Sequence, residues 1–104
     1  MEGKEILILK WRSYVIQIDF TKSYSRAFEE VYGYPMSHVE IRTVEPDLAP
    51  LPVTDTGYRS IFITLPEIEN LGGVKTMIKD YIDDAARKKS WKEQEEKARQ
   101  YDLF

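Results

Sequence analysis

The sequence contains no cysteine and a single histidine, and both scarcities restrict the chemistry open to it. Without cysteine there is no disulfide framework, no thiolate nucleophile and no cysteine-ligated zinc or iron–sulfur site. The histidine, His38, is expected on the surface of a strand, with Glu40 and then Arg42 next on the same face. One imidazole beside a cation is poor metal ligation. We therefore expect no metal, no cofactor and no catalytic residues.

Long apolar runs and a strong charge of one sign are missing as well. No stretch reaches about 18 apolar residues, so we expect no contact with a membrane. The apolar run near the N-terminus is too short and too soon charged for a signal peptide. A formal net charge of -3 provides no broad basic field for unspecific nucleic-acid binding. We expect a cytoplasmic, non-enzymatic protein.

The residues that are present suffice for one small domain. The chain has 104 residues, of which 42% are hydrophobic and 12% aromatic, and these values fit a single domain with a modest core. We place the globular domain at residues 1–90. Residues 91–104 are expected to form a charged helix followed by a tail.

Hydrophobic periodicity predicts four strands. Residues 5–11 are apolar at nearly every position, which favours a strand covered on both faces, or a core strand. Residues 14–20 alternate between apolar and polar, so the two segments together indicate a β-hairpin. Residues 38–44 alternate again, and a fourth strand is expected at residues 59–65.

Three- and four-residue spacings predict the helices. Residues 24–32 carry such a stripe and are expected to pack on the sheet, and residues 74–85 form the clearest helix. Ser90 and Glu93 match a capping box, which predicts a last helix from Trp91, either separate or continuous with the one before. The order ββαββαα indicates an α+β fold, with an antiparallel sheet of about four strands, one packed helix and two C-terminal helices.

A connection with three prolines, Glu45–Gly57, leads into the fourth strand and suggests one candidate site. Long loops in compact domains are often functional. Asp55, Tyr58 and Arg59 gather a carboxylate, a phenol and a guanidinium there, and Arg59 could bind a phosphate or a carboxylate. On this interpretation the chain is a small-ligand-binding protein or an enzyme that uses the Glu45–Arg59 loop. Alternatively, Arg59 bonds to loop carbonyls or a loop acid and is structural.

The chain ends in the five residues QYDLF, which are Gln100, Tyr101, Asp102, Leu103 and Phe104. They resemble the clamp-binding motif of bacterial replication and repair proteins, usually Gln-Leu-(Ser or Asp)-Leu-Phe. Four positions match, and Tyr101 stands where leucine is commoner. The resemblance implies that Leu103 and Phe104 fill a hydrophobic pocket on the bacterial sliding clamp, and that Gln100 bonds to the rim of that pocket.

From this resemblance we expect a small bacterial, phage or plasmid protein that docks on the sliding clamp as an adaptor or inhibitor. Its body would contact DNA or another replication factor. Two alternatives remain open. Leu103 and Phe104 pack on the exposed side of the sheet and close a small core, or the chain is an interaction domain that dimerises through an aromatic-rich sheet. We expect a monomer or a weak homodimer.

Overall fold

The computed structural model describes residues 3–101, which form a four-stranded sheet and four helices. The strands are antiparallel and follow one another in the order β1-β2-β3-β4. This confirms the α+β prediction. The elements are β1 (Lys4–Trp11), β2 (Tyr14–Thr21), α1 (Arg26–Tyr32), β3 (Met36–Glu45), β4 (Tyr58–Thr64), α2 (Leu65–Asn70), α3 (Val74–Ala86) and α4 (Lys89–Tyr101).

A two-residue turn joins β1 to β2 and confirms the predicted hairpin. Trp11 pairs with Tyr14 at the end of the ladder, and Arg12 adopts a φ of 53°. Positive φ angles are typical of the tight turns whose twist suits a hairpin. The pairing places Leu9 opposite Ile16, and both side chains are buried on the same face of the sheet.

One face of the sheet forms the core together with the last two helices. The alternation predicted for β2 and β3 is observed, because Ile16, Ile18, Val39 and Ile41 are all fully buried. The spacing of α3 brings a second set of apolar side chains onto them, namely Val74, Met77, Ile78, Ile82 and Ala86. Trp91 of α4 completes the core.

The opposite face of the sheet carries no covering layer among the described residues. Ile6 is 60% exposed and Ile8 is 46% exposed. The prediction that β1 is covered on both faces is therefore wrong. Only Leu9 and Trp11 of β1 are buried in the core, so the near-continuous apolar run does not reflect burial on both faces.

Helix α1 forms where the sequence predicts a helix, but it does not pack on the sheet. Ser25 caps its N-terminus by accepting from the Phe28 N–H, and Gly33 ends it with a φ of 78°. No residue of α1 is buried, and Val31 is 75% exposed. The covered face of the sheet is occupied by α3, so α1 packs its aromatic rings locally, with Phe28 4.4 Å from Tyr32.

Helices α3 and α4 are separate, since the helix breaks at Arg87 and Lys88. Helix α4 begins at Lys89, so Ser90 lies inside its first turn and is not the N-cap residue that the capping box predicted. Among residues 3–101, no helix is both long enough and apolar enough to cross a membrane.

The β3–β4 connection is held against the end of β3 by one buried residue, Thr43. Its N–H donates to the Gly57 carbonyl at 2.9 Å, and its hydroxyl donates to the Ala49 carbonyl at 2.8 Å. The Leu48 N–H in turn donates to the Thr43 carbonyl. Leu51 inserts into the core. The loop is therefore ordered and packs against one end of the sheet.

Candidate functional site

Helix α4 is attached to the body mainly through its first two turns. Trp91 lies with its ring centroid 6.1 Å from that of Trp11 and 6.3 Å from that of Tyr14. The guanidinium of Arg12 pairs with the carboxylate of Glu95 at 2.6 Å. The other described side chains after Trp91 are exposed, namely Lys92, Glu93, Gln94, Glu96 and Lys97. The mixed charges of this segment thus form a solvated surface.

The overall dimensions fit a helix that leaves the body. The radius of gyration is 15.6 Å, whereas a compact domain of this length has about 13 Å. The principal extents are 56 × 23 × 19 Å. From Trp91 to Tyr101 a helix rises about 15 Å, so α4 extends away from its attachment at Trp91.

The five residues of the clamp-motif resemblance lie at and beyond the end of α4. The backbone of Gln100 and Tyr101 belongs to the last turn of the helix. The side chains of these two residues, and all of Asp102, Leu103 and Phe104, lie outside the described residues. Their proposed role therefore rests on the sequence and on the direction of α4.

The loop-site residues Asp55, Tyr58 and Arg59 are not brought together. Neighbouring residues of a strand point to opposite faces, and β4 begins at Tyr58. The Tyr58 hydroxyl donates to Glu40 Oε2 at 2.6 Å on the open face, and this hydrogen bond is the main reason that the pKa of Tyr58 is raised. Asp55 is exposed in the loop. These three side chains form no common pocket.

Arg59 lies on the helix-facing side of β4 and is held by the loop. Its Nη1 donates to the Val53 carbonyl at 3.3 Å, which is the structural alternative considered from the sequence. Its guanidinium carbon also lies 6.0 Å from the ring centroid of Tyr81 on α3. Arg59 thereby borders a groove between β4 and α3.

This groove, called the β4–α3 groove below, has a volume of about 610 Å³. Its apolar lining comes from β4, α3 and the joint between α2 and α3, namely Ile61, Ile63, Leu71, Met77 and Tyr81. Charged groups of both signs stand around it, namely Arg59, Arg87, Asp80, Asp83 and Asp84. The sequence predicted the helix that carries Tyr81 but gave no sign of a groove, which depends on how α3 crosses the sheet.

The open face of the sheet carries a cluster that sequence reasoning missed. His38 stacks on Phe62 with ring centroids 4.4 Å apart, and its Nε2 lies 2.6 Å from Ser60 Oγ. Tyr24 packs edge-on against both rings. The alternation in β3 placed His38 and Glu40 on one face, but the contact with Ser60 needs the β3–β4 register.

This cluster does not form the site of a nucleophilic serine. His38 Nδ1 lies 3.8 Å from Glu40 Oε1, which is too far for a hydrogen bond. A serine–histidine pair needs an acid that orients the imidazole, and Glu40 instead accepts from Tyr58. Among the described residues, no group of three or more histidine, aspartate or glutamate side chains could hold a metal ion.

Comparison with known proteins supplies a family for most of the chain. The family model described as the KlcB third domain matches residues 4–91, which run from the start of β1 to the first turn of α4. Neither a curated protein nor a solved structure matches the chain. The matched family indicates a small plasmid-associated domain. The match covers well over half of the 104 residues, so the chain belongs to the KlcB third domain family.

Proposed function

We propose that this plasmid-associated domain docks on the bacterial sliding clamp through residues 100–104 and acts as a non-enzymatic adaptor or inhibitor. The proposal is carried by the direction of α4, taken together with the resemblance of QYDLF to the clamp-binding motif. Trp91 anchors the start of the helix in the core, and the exposed turns that follow lead away from that anchor. A docking segment needs such a separation, because the globular part of this chain must not collide with the sliding clamp.

The expected strength of docking follows from the two apolar side chains. Burying one leucine and one phenylalanine contributes roughly 1.5–3 kcal/mol each. The loss of freedom on association and the ordering of the tail offset part of this gain. With the hydrogen bonds of Gln100 added, the balance fits a dissociation constant in the micromolar range, on the order of 10⁻⁶ M. Such binding would tether the domain without holding it permanently.

The test is direct binding of the full chain to a purified bacterial sliding clamp, measured by isothermal titration calorimetry. We expect saturable binding that the double variant Leu103→Ala/Phe104→Ala abolishes. A matched control is Leu48→Ala/Phe62→Ala, which removes the same two residue types from exposed positions of the body. That control should bind like the unaltered chain. Full binding by the tail variant, or no binding by the unaltered chain, would contradict the proposal.

Thermal unfolding of the same tail variant distinguishes docking from closure of the core. If Leu103 and Phe104 pack on the body, their truncation should lower the melting temperature, because buried large-to-small changes cost about 2–5 kcal/mol. We expect instead that the melting temperature stays at the value of the unaltered chain. A clear decrease would favour the core-closure alternative.

A further inference from the structure

Strand β4 has one free edge. It pairs with β3 along one side, and no described strand pairs with the other. The Gly57 carbonyl accepts from the Thr43 N–H, and the Leu65 N–H donates to the Pro35 carbonyl, so both groups face β3. Because backbone groups of alternate residues face the same side of an antiparallel strand, the odd-numbered residues between Gly57 and Leu65 also hydrogen-bond to β3. The even-numbered residues Ser60 and Phe62 therefore present their N–H and C=O groups to the free edge.

The free edge is open over its middle and closed only at its start. The hydroxyls of Thr54 and Thr56 donate to the Tyr58 carbonyl at 2.7 and 3.2 Å, which occupies the first outward acceptor. Beyond that point β4 has no proline, no lysine and no register shift, and its one charged side chain, Arg59, donates to the Val53 carbonyl of its own chain. Proteins commonly use such features to prevent edge pairing. By contrast, the other edge strand, β1, has Lys4 and Lys10 near its two ends.

The core is also incomplete beside this edge. Ile61 and Ile63 point toward the helix layer, yet both are only half-buried and line the β4–α3 groove. Leu71 on the wall of the groove is 51% exposed. A strand added to β4 would extend the floor of the groove and remove these apolar groups from water.

We propose that the β4 edge, together with the β4–α3 groove, is an interface that pairs with the β4 strand of a second copy of this chain. In an antiparallel arrangement with its twofold axis at Ile61, Ser60 lies opposite Phe62 of the second copy. Each of these two equivalent pairs exchanges two backbone hydrogen bonds. The two sheets then join into one of eight strands.

The residues of β4 complement those of a second copy of β4. The register puts Ile61 opposite its own copy and Arg59 opposite Ile63, so no like charges face each other. Arg59 and Asp80 stand at the groove, and neither is in an ion pair with another described residue. Each copy thus offers one unpaired charge of either sign to the other across the axis.

Sedimentation equilibrium of the full chain tests the proposal. With rising concentration, the average mass should climb from 12.2 kDa toward twice that value. Ile61→Lys puts two ammonium groups at the twofold axis and should keep the mass at that of the monomer. Ile6→Lys is the matched control on the other edge strand, and it should associate like the unaltered chain. Circular dichroism checks that both variants are folded.

Cysteine cross-linking gives a second measurement. Because the sequence contains no cysteine, only the introduced thiol can form a disulfide. Positions opposite each other in a non-hydrogen-bonded antiparallel pair have Cα atoms about 4.5 Å apart, within the range for a disulfide. Ile61→Cys should therefore form a covalent dimer under mild oxidation, whereas Ile8→Cys should not. This measurement remains available if Ile61→Lys proves to be unfolded.

Several outcomes would overturn the proposal. A monomeric mass for the unaltered chain at every concentration would do so, as would a dimer that survives Ile61→Lys. Loss of the dimer in Ile6→Lys alone would place the contact on the open face of the sheet. Loss of the dimer in Leu103→Ala/Phe104→Ala would mean that an exchanged tail occupies the groove. None of these outcomes depends on clamp docking, which is measured separately.

Discussion

The indole N–H of Trp11 donates a hydrogen bond of 2.7 Å to Asp83 Oδ1, and it joins positions 72 residues apart in the chain. The other carboxylate oxygen of Asp83 accepts from Lys79 at 2.8 Å, one turn earlier on α3. This carboxylate thus connects the end of β1 to the helix that covers the sheet. The contact also brings Trp11 beside Trp91, so that α4 attaches at the same place.

We predict that Asp83→Asn lowers stability at neutral pH and that the loss fades in acid. The hydrogen bond from Lys79, followed by the one from Trp11, lowers the pKa of Asp83. A lowered pKa means that the stabilisation is complete above the unfolded-state pKa of about 4 and is lost as pH falls through the folded-state value. In urea unfolding, the midpoint of Asp83→Asn should lie below that of the unaltered chain at neutral pH, and the two midpoints should converge at about pH 3.

The matched control for this prediction is Asp84→Asn. Asp84 pairs with Arg87 on the same helix, and both side chains are largely exposed. Such pairs contribute little, so the midpoint of this variant should stay close to that of the unaltered chain at both pH values. An Asp83→Asn deficit of equal size at both pH values would contradict the proposed charge effect.

We predict that Gly57→Ala is far more destabilising than Gly33→Ala. Both glycines have positive φ angles, 74° and 78°, so both substitutions carry a left-handed backbone cost of about 1–2 kcal/mol. A Cβ on Gly57 would also lie 2.5 Å from the Leu48 carbonyl carbon, whereas nothing lies within 4 Å of one on Gly33. The extra cost should be about 1–3 kcal/mol, as for overpacking in a core.

Free energies of unfolding in urea would measure this difference. The Gly57 variant should also loosen the loop, because the Thr43 N–H bonds to the Gly57 carbonyl. Hydrogen exchange at the Thr43 amide would report that loosening. Equal destabilisation by the two alanine variants would mean that the Leu48 backbone can move aside at no cost.

We predict that Trp91→Ala costs about 3–5 kcal/mol, the usual range for a buried aromatic truncation. Trp91 is 4% exposed and packs against Trp11 and Tyr14. Trp91→Phe should cost clearly less, because the Trp91 Nε1 is buried without an acceptor among the described residues. An unsatisfied buried donor is unfavourable by about 1–3 kcal/mol, and phenylalanine removes it.

Chemical unfolding of the two Trp91 variants, followed by far-ultraviolet circular dichroism, would test this order. A small cost for Trp91→Ala would show that α4 contributes little to the core. A larger cost for Trp91→Phe than for Trp91→Ala would show that the indole N–H is satisfied and that its loss is harmful.

Much of the sheet could be predicted from the sequence because its signals are local. Alternation in β2 and β3 correctly placed Ile16, Ile18, Val39 and Ile41 in the core. The same rule also separates Tyr58 from Arg59, once β4 is known to begin at Tyr58. The fourth strand predicted from the sequence begins at Arg59, which groups Tyr58 with the loop.

Hydrophobic periodicity also predicted the helices, but it does not indicate what a helix packs against. The stripe through α1 looks like that of α3, yet no residue of α1 is buried and five residues of α3 are. The difference arises because α3 occupies the covered face of the sheet. For the same reason, the apolar run of β1 did not reveal that Ile6 and Ile8 would stay exposed.

The sequence by itself determined the order of the four strands and of the three longer helices, the hairpin, the inward faces of β2, β3 and α3, and the resemblance of the last five residues to a clamp-binding motif, whereas the short helix α2 was absent from the predicted order. Only the tertiary structure decided that His38 meets Ser60 and Phe62, that Trp11 bonds to Asp83, and that a groove opens beside β4. The physical reason is the range of the interactions. Periodicity depends on neighbours within a turn or a strand, whereas these contacts depend on strand register and on where a helix crosses the sheet.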